Sequence, residues 1–390
     1  MRRPKLLRVS TVPQSLNVLL KGQFRFMANH FDIIGVSSPG GALDELSLRE
    51  GVRVIPAKIE RRIRPLSDLR SLLILYLIFR REKPDIVHSI TPKAGLLSMI
   101  AARFASVPIR LHTFTGLVFP SRRGLYQAIL IWMDRLLCYC ATAVYPEGEG
   151  VKTDMLRYRI TKKPLKILAN GNVNGINTDY YNPTGIDSEE KLRIVSSLNI
   201  KNTDFVFVFI GRLVSEKGIA ELIEAFALLA ASRSNVRLLL VGEMEPAIDP
   251  LPSALIKVIQ DHGAINFLGY KSDIRPYLAV SHALVLPSYR EGFPNVVLQA
   301  GAMGLPCIVS DVNGSNEIIK NEINGIVIPV RSAGALHAAM MRMLDDISFY
   351  AEARLKSRSL IESRFAQSAV WKAHLDEYQR FAVLARIPHD

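Results

Sequence analysis

Apolar residues gather in short continuous runs, and these alternate with longer stretches of helical character. In the first half the runs are Leu6–Ser10, Asp32–Ser37, Val52–Pro56, Asp85–Ser89, Ile109–Thr113, Ala141–Tyr145 and Lys166–Ala169. Runs that lack polar alternation fit strands covered on both faces, hence a parallel sheet between helices. Helices are expected at Ser15–His30, Leu66–Arg81, Ala94–Ala105 and Leu125–Cys140. An Asn-rich stretch with two Gly and a Pro, Asn170–Pro183, then interrupts the rhythm with turn chemistry. It restarts with strands at Phe205–Ile210, Val236–Val241, Ile265–Leu268, Ala283–Leu286, Cys307–Ser310 and Gly325–Pro329. Helices are expected between them at Ile219–Ala231, Ser253–Asp261 and Asn295–Gly304, and at the end at Ala333–Leu344 and Gln367–Arg386. The pattern predicts an α/β protein of two Rossmann-like domains facing a central cleft. The expected division is an N-terminal domain over 1–170, completed by a C-terminal helix at 370–390, a linker at 171–200, and a second domain over 201–369.

Composition changes this picture little. The chain has 390 residues, 49% hydrophobic and 22% charged, which suits two ordinary cores and excludes a disordered or fibrous chain. Three cysteines exclude a disulfide framework and a four-cysteine zinc site. The longest apolar run, Leu72–Phe79, is far short of a membrane span, and no signal peptide is evident, so a cytoplasmic address is expected.

Charge changes it more. Residues 1–170 carry 28 Lys/Arg against 12 Asp/Glu, while residues 171–390 carry 21 against 24. A basic half implies an anionic partner surface. The expected helix Leu66–Arg81 is apolar almost all round. Arg61, Arg62, Arg64 and Arg70 precede its apolar centre, and Arg80, Arg81 and Lys83 follow it. Such a helix is either core or a face that meets anionic lipid.

Candidate chemistry lies in strand-to-helix loops. Gly211–Gly218 places Arg212 and Lys217 in a turn before a helix N-terminus, a suitable cradle for a diphosphate. Pro287–Asn295 places Glu291 after a strand end, with Gly292, Phe293, Pro294 and Asn295 leading into the helix that carries Gln299. A carboxylate beside free amides can hold sugar hydroxyls. The polar string Ser310–Glu317 follows the next strand on the same edge. In the first half His88 and His112 end strands. No Asp-x-Asp, His-x₃-His or Cys-x₂-Cys pattern is present, so no metal or other cofactor is expected, and no G-x-G-x-x-G follows the first strand.

Gly211-Arg212…Lys217-Gly218 and Glu291-Gly292-Phe293-Pro294-Asn295…Gln299 resemble the motifs of the retaining family-4 glycosyltransferases. Asn174-Gly175-Ile176-Asn177 before Tyr181-Asn182-Pro183 resembles their linker. The string from Val87 to Ala105, followed by Arg110-Leu111-His112-Thr113, resembles a subgroup that builds bacterial surface polysaccharides and glycans on lipid carriers. The resemblance covers nearly the whole chain and implies the two-domain GT-B fold. It implies a hexosyl or N-acetylhexosaminyl transferase that takes a nucleotide sugar, with uridine the commonest base, and passes it to a glycan or lipid-linked acceptor. It places Arg212 and Lys217 on the donor diphosphate, Glu291 and the Gly292–Asn295 backbone by the donor sugar, and His112 at the reacting face. The position eight residues after Glu291, usually a second glutamate on the nucleotide ribose, is here Gln299. The implied location is the inner face of the plasma membrane, as a peripheral protein.

Three other functions are weighed. A nucleic-acid-binding protein would use the basic half, but no aromatic RNA-binding pair, zinc finger or basic helix register is found. A nucleotide-sugar epimerase would share the architecture without an acceptor. A sugar-binding protein of two α/β lobes would ordinarily carry a secretion signal.

Overall fold

The computed structural model describes residues 3–60, 63–246 and 249–387. The chain divides into two compact units, Met1–Gly175 with Gln367–Asp390, and Ile176–Ala366. The first holds a six-stranded parallel sheet of β1 (Lys5–Val9), β2 (Asp32–Ser37), β3 (Arg53–Pro56), β4 (Ile86–Ser89), β5 (Ile109–Phe114) and β6 (Ala143–Pro146). Their order is β3-β2-β1-β4-β5-β6. The second holds β7 (Phe205–Ile210), β8 (Val236–Val241), β9 (Ile265–Gly269), β10 (Ala283–Leu286), β11 (Cys307–Ser310) and β12 (Gly325–Ile328), in the order β12-β11-β10-β7-β8-β9. Each unit thus sets its first strand beside its fourth. In such sheets the strand order reverses at that seam, and ligands bind outside the carboxyl ends of the strands there.

Most strands are buried on both faces, which is why they read as continuous apolar runs, while the edge strands β3 and β9 are partly exposed. The first sheet has one core under the helices Pro65–Glu82, Pro92–Phe104 and Gly124–Cys140, around Leu75, Phe79, Met99 and Leu137. Its other face is covered by Pro13–Leu19, Gln23–Met27 and the C-terminal helix Gln367–Leu384. The second sheet has one large core that includes Phe207, Phe209, Leu238, Leu240 and Ile308.

Several expectations are corrected. The helix expected at Ser15–His30 is two helices broken around Gly22, whose N–H donates to Glu50 Oε1 at 2.9 Å. Lys166–Ala169 is not a strand, because the sheet ends at β6 and this segment serves the C-terminal helix. Leu168 is buried there, and Lys166 Nζ reaches Glu377 Oε2 at 2.7 Å. The helix Ile347–Phe365 was not foreseen. Its buried residues Ala353, Ser357, Ile361 and Phe365 form a stripe at four-residue spacing too mixed in polarity to read as a core face.

The expected linker over 171–200 is not a separate element. The boundary falls between Gly175 and Ile176. Asn174 accepts from Trp371 Nε1 at 2.7 Å in the first unit, whereas the Ile176 N–H donates to Phe365 O at 2.8 Å in the second. Residues Ser188–Ser197 form a helix. The C-terminal helix is held to the first sheet by buried polar contacts. The Tyr378 hydroxyl lies 2.6 Å from His88 Nδ1 and also bonds Arg8, and the Tyr145 hydroxyl donates to Glu377 at 3.0 Å. His88 is therefore an interior structural residue.

Candidate active site

The two loops that carry the sequence motifs leave β7 and β10, the seam of the second sheet. After β7 the chain makes a short 3-10 turn at Ser215–Lys217 and enters the helix Ile219–Ser232 through Gly218. After β10 it runs to the helix Asn295–Ala302, with Pro294 in the capping position just before the first turn. Gly218 has φ +69° and lies so close to Pro287 that a Cβ would meet the Pro287 oxygen at 2.2 Å. The Tyr289 N–H donates to the Glu216 carbonyl at 2.9 Å and welds the loops further. The loop after β11 presses in from the other side, where a Cβ on Gly314 would meet the Gly292 oxygen at 2.2 Å. Only glycine allows these approaches, and they bring the loops after β7, β10 and β11 into one cluster.

Lys217 Nζ donates to Glu291 Oε1 at 2.6 Å. This pair is mostly removed from water, with the Lys217 and Glu291 side chains 16% and 12% exposed. Arg212 is half exposed and donates to Glu245 at 2.8 Å and to Glu216 at 3.2 Å. Glu216 also accepts from Arg290 at 3.1 Å. The two expected diphosphate cations therefore stand in one cluster with a third, Arg290, each matched by a carboxylate. Phe293 is buried against the Phe365 ring at 5.5 Å, so its side chain anchors the loop from below. Gln299 Nε2 donates to the Tyr181 hydroxyl at 2.8 Å.

Glu216, Glu245 and Arg290 were not singled out from the sequence, and Tyr181 entered only through the linker resemblance. Glu216 and Arg290 stand inside the motifs, and the signal there was charge alternation. Glu245 follows β8, and nothing local ties it to Arg212.

His112 is placed differently from the expectation. β5 runs on to Phe114, so His112 lies inside the strand rather than at its end, and it has no exposed surface. Its ring is covered by Gly95 of the helix Pro92–Phe104, where a Cβ would meet His112 Cε1 at 2.4 Å, and by the Phe114 ring at 4.6 Å. Its Nδ1 lies 2.8 Å from Ser89 Oγ, and Nε2 is buried with no partner among the described residues. Burial lowers its pKa to about 3, so the imidazole is neutral near pH 7. Among the described residues no group of three or more His, Cys, Asp or Glu could hold a metal ion.

A second feature lies on the outer face of the first unit. On the helix Pro65–Glu82, Leu66, Leu69, Leu73 and Leu77 are each more than half exposed, while Ser71, Leu75 and Phe79 face the core. On the helix Gly124–Cys140, Leu125, Trp132 and Tyr139 are likewise more than half exposed. Both helices flank and pack on Pro92–Phe104, which ends in the exposed Phe104. Arg64, Arg70, Arg80, Arg81, Arg103, Arg122, Arg123 and Arg135 are exposed on or beside these helices. Arg61 and Arg62 lie outside the described residues. No helix among the described residues is long and apolar enough to cross a membrane.

Two parallel α/β units, the second with its motif loops gathered at the strand-order seam, make a doubly wound architecture that several activities share, and the comparisons identify the class. The model of the glycosyl transferases group 1 matches residues 190–359, and that of a glycosyl transferase 4-like domain matches residues 30–171. The chain is 30% identical over 383 residues to the capsular polysaccharide biosynthesis glycosyltransferase CapM of Staphylococcus aureus, covering 98% of each. It is 31% identical over 330 residues, 83% of each chain, to the UDP-Gal:alpha-D-GlcNAc-diphosphoundecaprenol alpha-1,3-galactosyltransferase of Escherichia coli. In fold it is similar to Anabaena Alr3699/HepE, solved with UDP and glucose, with a TM-score of 0.81 at 16% identity, covering 97% of this chain and 100% of that one. The chain belongs to the group 1, family-4-like glycosyltransferases of the GT-B fold.

Proposed function

We propose that the protein transfers a sugar, with retention at the anomeric carbon, from a UDP-sugar to a polyprenyl-diphosphate-linked glycan during bacterial surface polysaccharide synthesis. The observation that carries this reading is the cluster at the β7–β10 seam, where Lys217 and Arg212 stand beside Glu291. The names of the S. aureus and E. coli relatives support the pathway and the lipid-linked acceptor. The UDP-bound Anabaena neighbour is a precedent for the donor on this fold.

In the reaction, negative charge grows on the departing diphosphate as the sugar–phosphate bond breaks. Fixed cations help most where charge develops, so Arg212 and Lys217 lower the barrier beyond what ground-state binding would give. Arg212 can fork onto two phosphate oxygens, and Lys217 acts as a point charge. In this reading the two cations serve in place of a divalent metal. Displaced from Lys217 by phosphate, the Glu291 carboxylate is free to accept from a donor-sugar hydroxyl. Gly292, Phe293, Pro294 and Asn295 shape the backbone around sugar and phosphate. His112, neutral and interior, acts through the strand end it supports and supplies no proton.

The exposed leucines and Trp132, with exposed arginines on or beside the same helices, support reading this face of the first unit as a docking surface for anionic lipid. This reading places the protein at the inner face of the plasma membrane, where a lipid-linked acceptor is collected. The test is incubation with radiolabelled UDP-sugars and a synthetic polyprenyl-diphosphate-sugar acceptor, with the product's anomeric configuration read by NMR. Product with the donor's configuration supports the proposal. An inverted product overturns retention, and an epimerised donor formed without acceptor overturns transfer.

A further inference from the structure

If Glu291 serves a sugar only after phosphate has drawn Lys217 away, the loop after β10 loses its ion pair with the loop after β7 at the moment it must be in place. A second tie between the same loops lies two residues earlier, at Tyr289.

Tyr289 is half-buried and held by its hydroxyl, its amide and its ring. The hydroxyl donates to the Glu221 carboxylate, 2.7 Å from Oε1 and 2.8 Å from Oε2. The N–H donates to the Glu216 carbonyl at 2.9 Å. The Arg331 guanidinium lies over the ring, 4.6 Å from its centroid. Glu221 stands in the first turn of the helix Ile219–Ser232, where the helix dipole favours a carboxylate. Burial and the Glu221 carboxylate raise the phenol to about 12, so it stays a donor near pH 7.

The other side-chain ties of this loop to its neighbour run through cations. Glu216 accepts from Arg212 and Arg290, and Glu291 accepts from Lys217. A bound phosphate pulls on all of these. The Tyr289 phenol carries no charge for a phosphate to attract, and a hydroxyl donating to a carboxylate is among the stronger hydrogen bonds. The Tyr289–Glu221 bond is therefore the tie that outlasts donor binding.

We infer that Tyr289, anchored on Glu221, is a positioning residue that keeps Glu291 at the donor sugar once Lys217 has turned to phosphate. The inference rests on the donor-site reading of Lys217 and Glu291 given above. The loss on breaking the anchor should fall on the transfer step and spare nucleotide binding, because the Tyr289 hydroxyl bonds neither expected phosphate cation.

The test is steady-state transfer with whichever of UDP-glucose, UDP-galactose and their N-acetylamino counterparts supports turnover, beside calorimetric binding of UDP alone. Tyr289→Phe removes only the hydroxyl. Its kcat should fall about 10-fold or more, as for loss of one charge-assisted hydrogen bond. UDP affinity should stay within about 2-fold, and thermal unfolding should remain cooperative. Glu221→Ala should behave alike, and the double variant should be no worse than either single one, since the two side chains act as a unit. Glu291→Gln should itself lower kcat, and in that background Tyr289→Phe should change kcat by less than about 2-fold. Wild-type kcat in Tyr289→Phe overturns the inference. An equal fall in the wild-type and Glu291→Gln backgrounds also overturns it, because Tyr289 then acts through something other than Glu291. A parallel loss of UDP affinity assigns the residue to the phosphate loop and overturns it too. If Glu291→Gln turns over like wild type, the sugar contact of Glu291 is itself refuted, and the role of Tyr289 with it.

Discussion

Replacing Lys217 by alanine should have two separable consequences. Lys217 Nζ lies 2.6 Å from Glu291, and both side chains are less than one-fifth exposed. Removing the lysine strands a carboxylate that is partly desolvated. A fully buried pair broken on one side costs about 3–5 kcal/mol, and an unsatisfied polar group about 1–3. Because Glu291 keeps some contact with water, the smaller range applies, and stability should fall by about 1–3 kcal/mol. Loss of a charge-assisted bond to phosphate should separately weaken nucleoside diphosphate binding by about 1.5–3 kcal/mol, or about 10–150-fold. Lys217→Ala combined with Glu291→Gln tells the two apart. Stability should return to within about 1 kcal/mol of wild type, since no charge is stranded, while affinity stays low. Urea unfolding reads the first quantity and titration calorimetry with UDP the second. UDP lacks the sugar, so the expected contact of Glu291 with sugar does not enter the binding measurement. Wild-type affinity in folded Lys217→Ala, or recovered affinity in the double variant, would refute the phosphate role.

Arg212→Ala should also lower UDP affinity about 10–150-fold with little change in stability, since its ion pairs are half exposed and worth little; equal affinity by calorimetry would exclude Arg212 from the site. Transfer activity should survive EDTA, and a loss restored by a divalent ion would show that the cations do not suffice. The first unit should be sensitive to acid. Burial, joined for His374 by the Arg8 charge, lowers both His112 and His374 to about 3 from 6.5, so an unfolded chain binds more protons below about pH 6.5. Stability is therefore full above that pH and falls on acidification towards the folded pKa, by up to about 1.4 kcal/mol per histidine per pH unit. Glu377 adds to the loss below about pH 4.5: burial raises its pKa, but hydrogen bonds from Arg380, Lys166 and Tyr145 outweigh this and bring it to about 2. A urea midpoint unchanged between pH 7.5 and 5.5 would contradict this. Finally, the protein should sediment with anionic liposomes, be released by salt, and bind more weakly after Leu73→Asp or Trp132→Ala; equal binding to neutral vesicles at low salt would remove the electrostatic part.

The two motif loops were legible in the sequence because their chemistry is local. Arg212, Lys217 and Glu291 are charged residues in glycine-flanked turns after apolar strands, and alternation of strand and helix put those turns at strand ends. Their partners were less legible. Glu245 meets Arg212 only because β8 lies beside β7, and Tyr181 meets Gln299 only because Arg358 folds the turn at Thr178 onto a helix end. His112 shows the opposite failure. One extra residue of β5 beyond Thr113 turned an apparent strand end into interior, and the Gly95 helix closed over it.

The sequence alone pointed to the two parallel α/β units, since apolar runs of four to six residues alternating with helical stretches fit strands covered by helices on both faces. It also determined which loops carry cations and carboxylate. Tertiary structure alone decided the domain boundary, because the Asn-rich stretch has the same turn chemistry on both sides of Gly175, and only the partners chosen by Asn174 and Ile176 divide it. It decided as well that the leucines of Pro65–Glu82 face outward. An all-round apolar helix has no preferred side in its own sequence, and packing against Pro92–Phe104 selected the stripe of Ser71, Leu75 and Phe79 for the core.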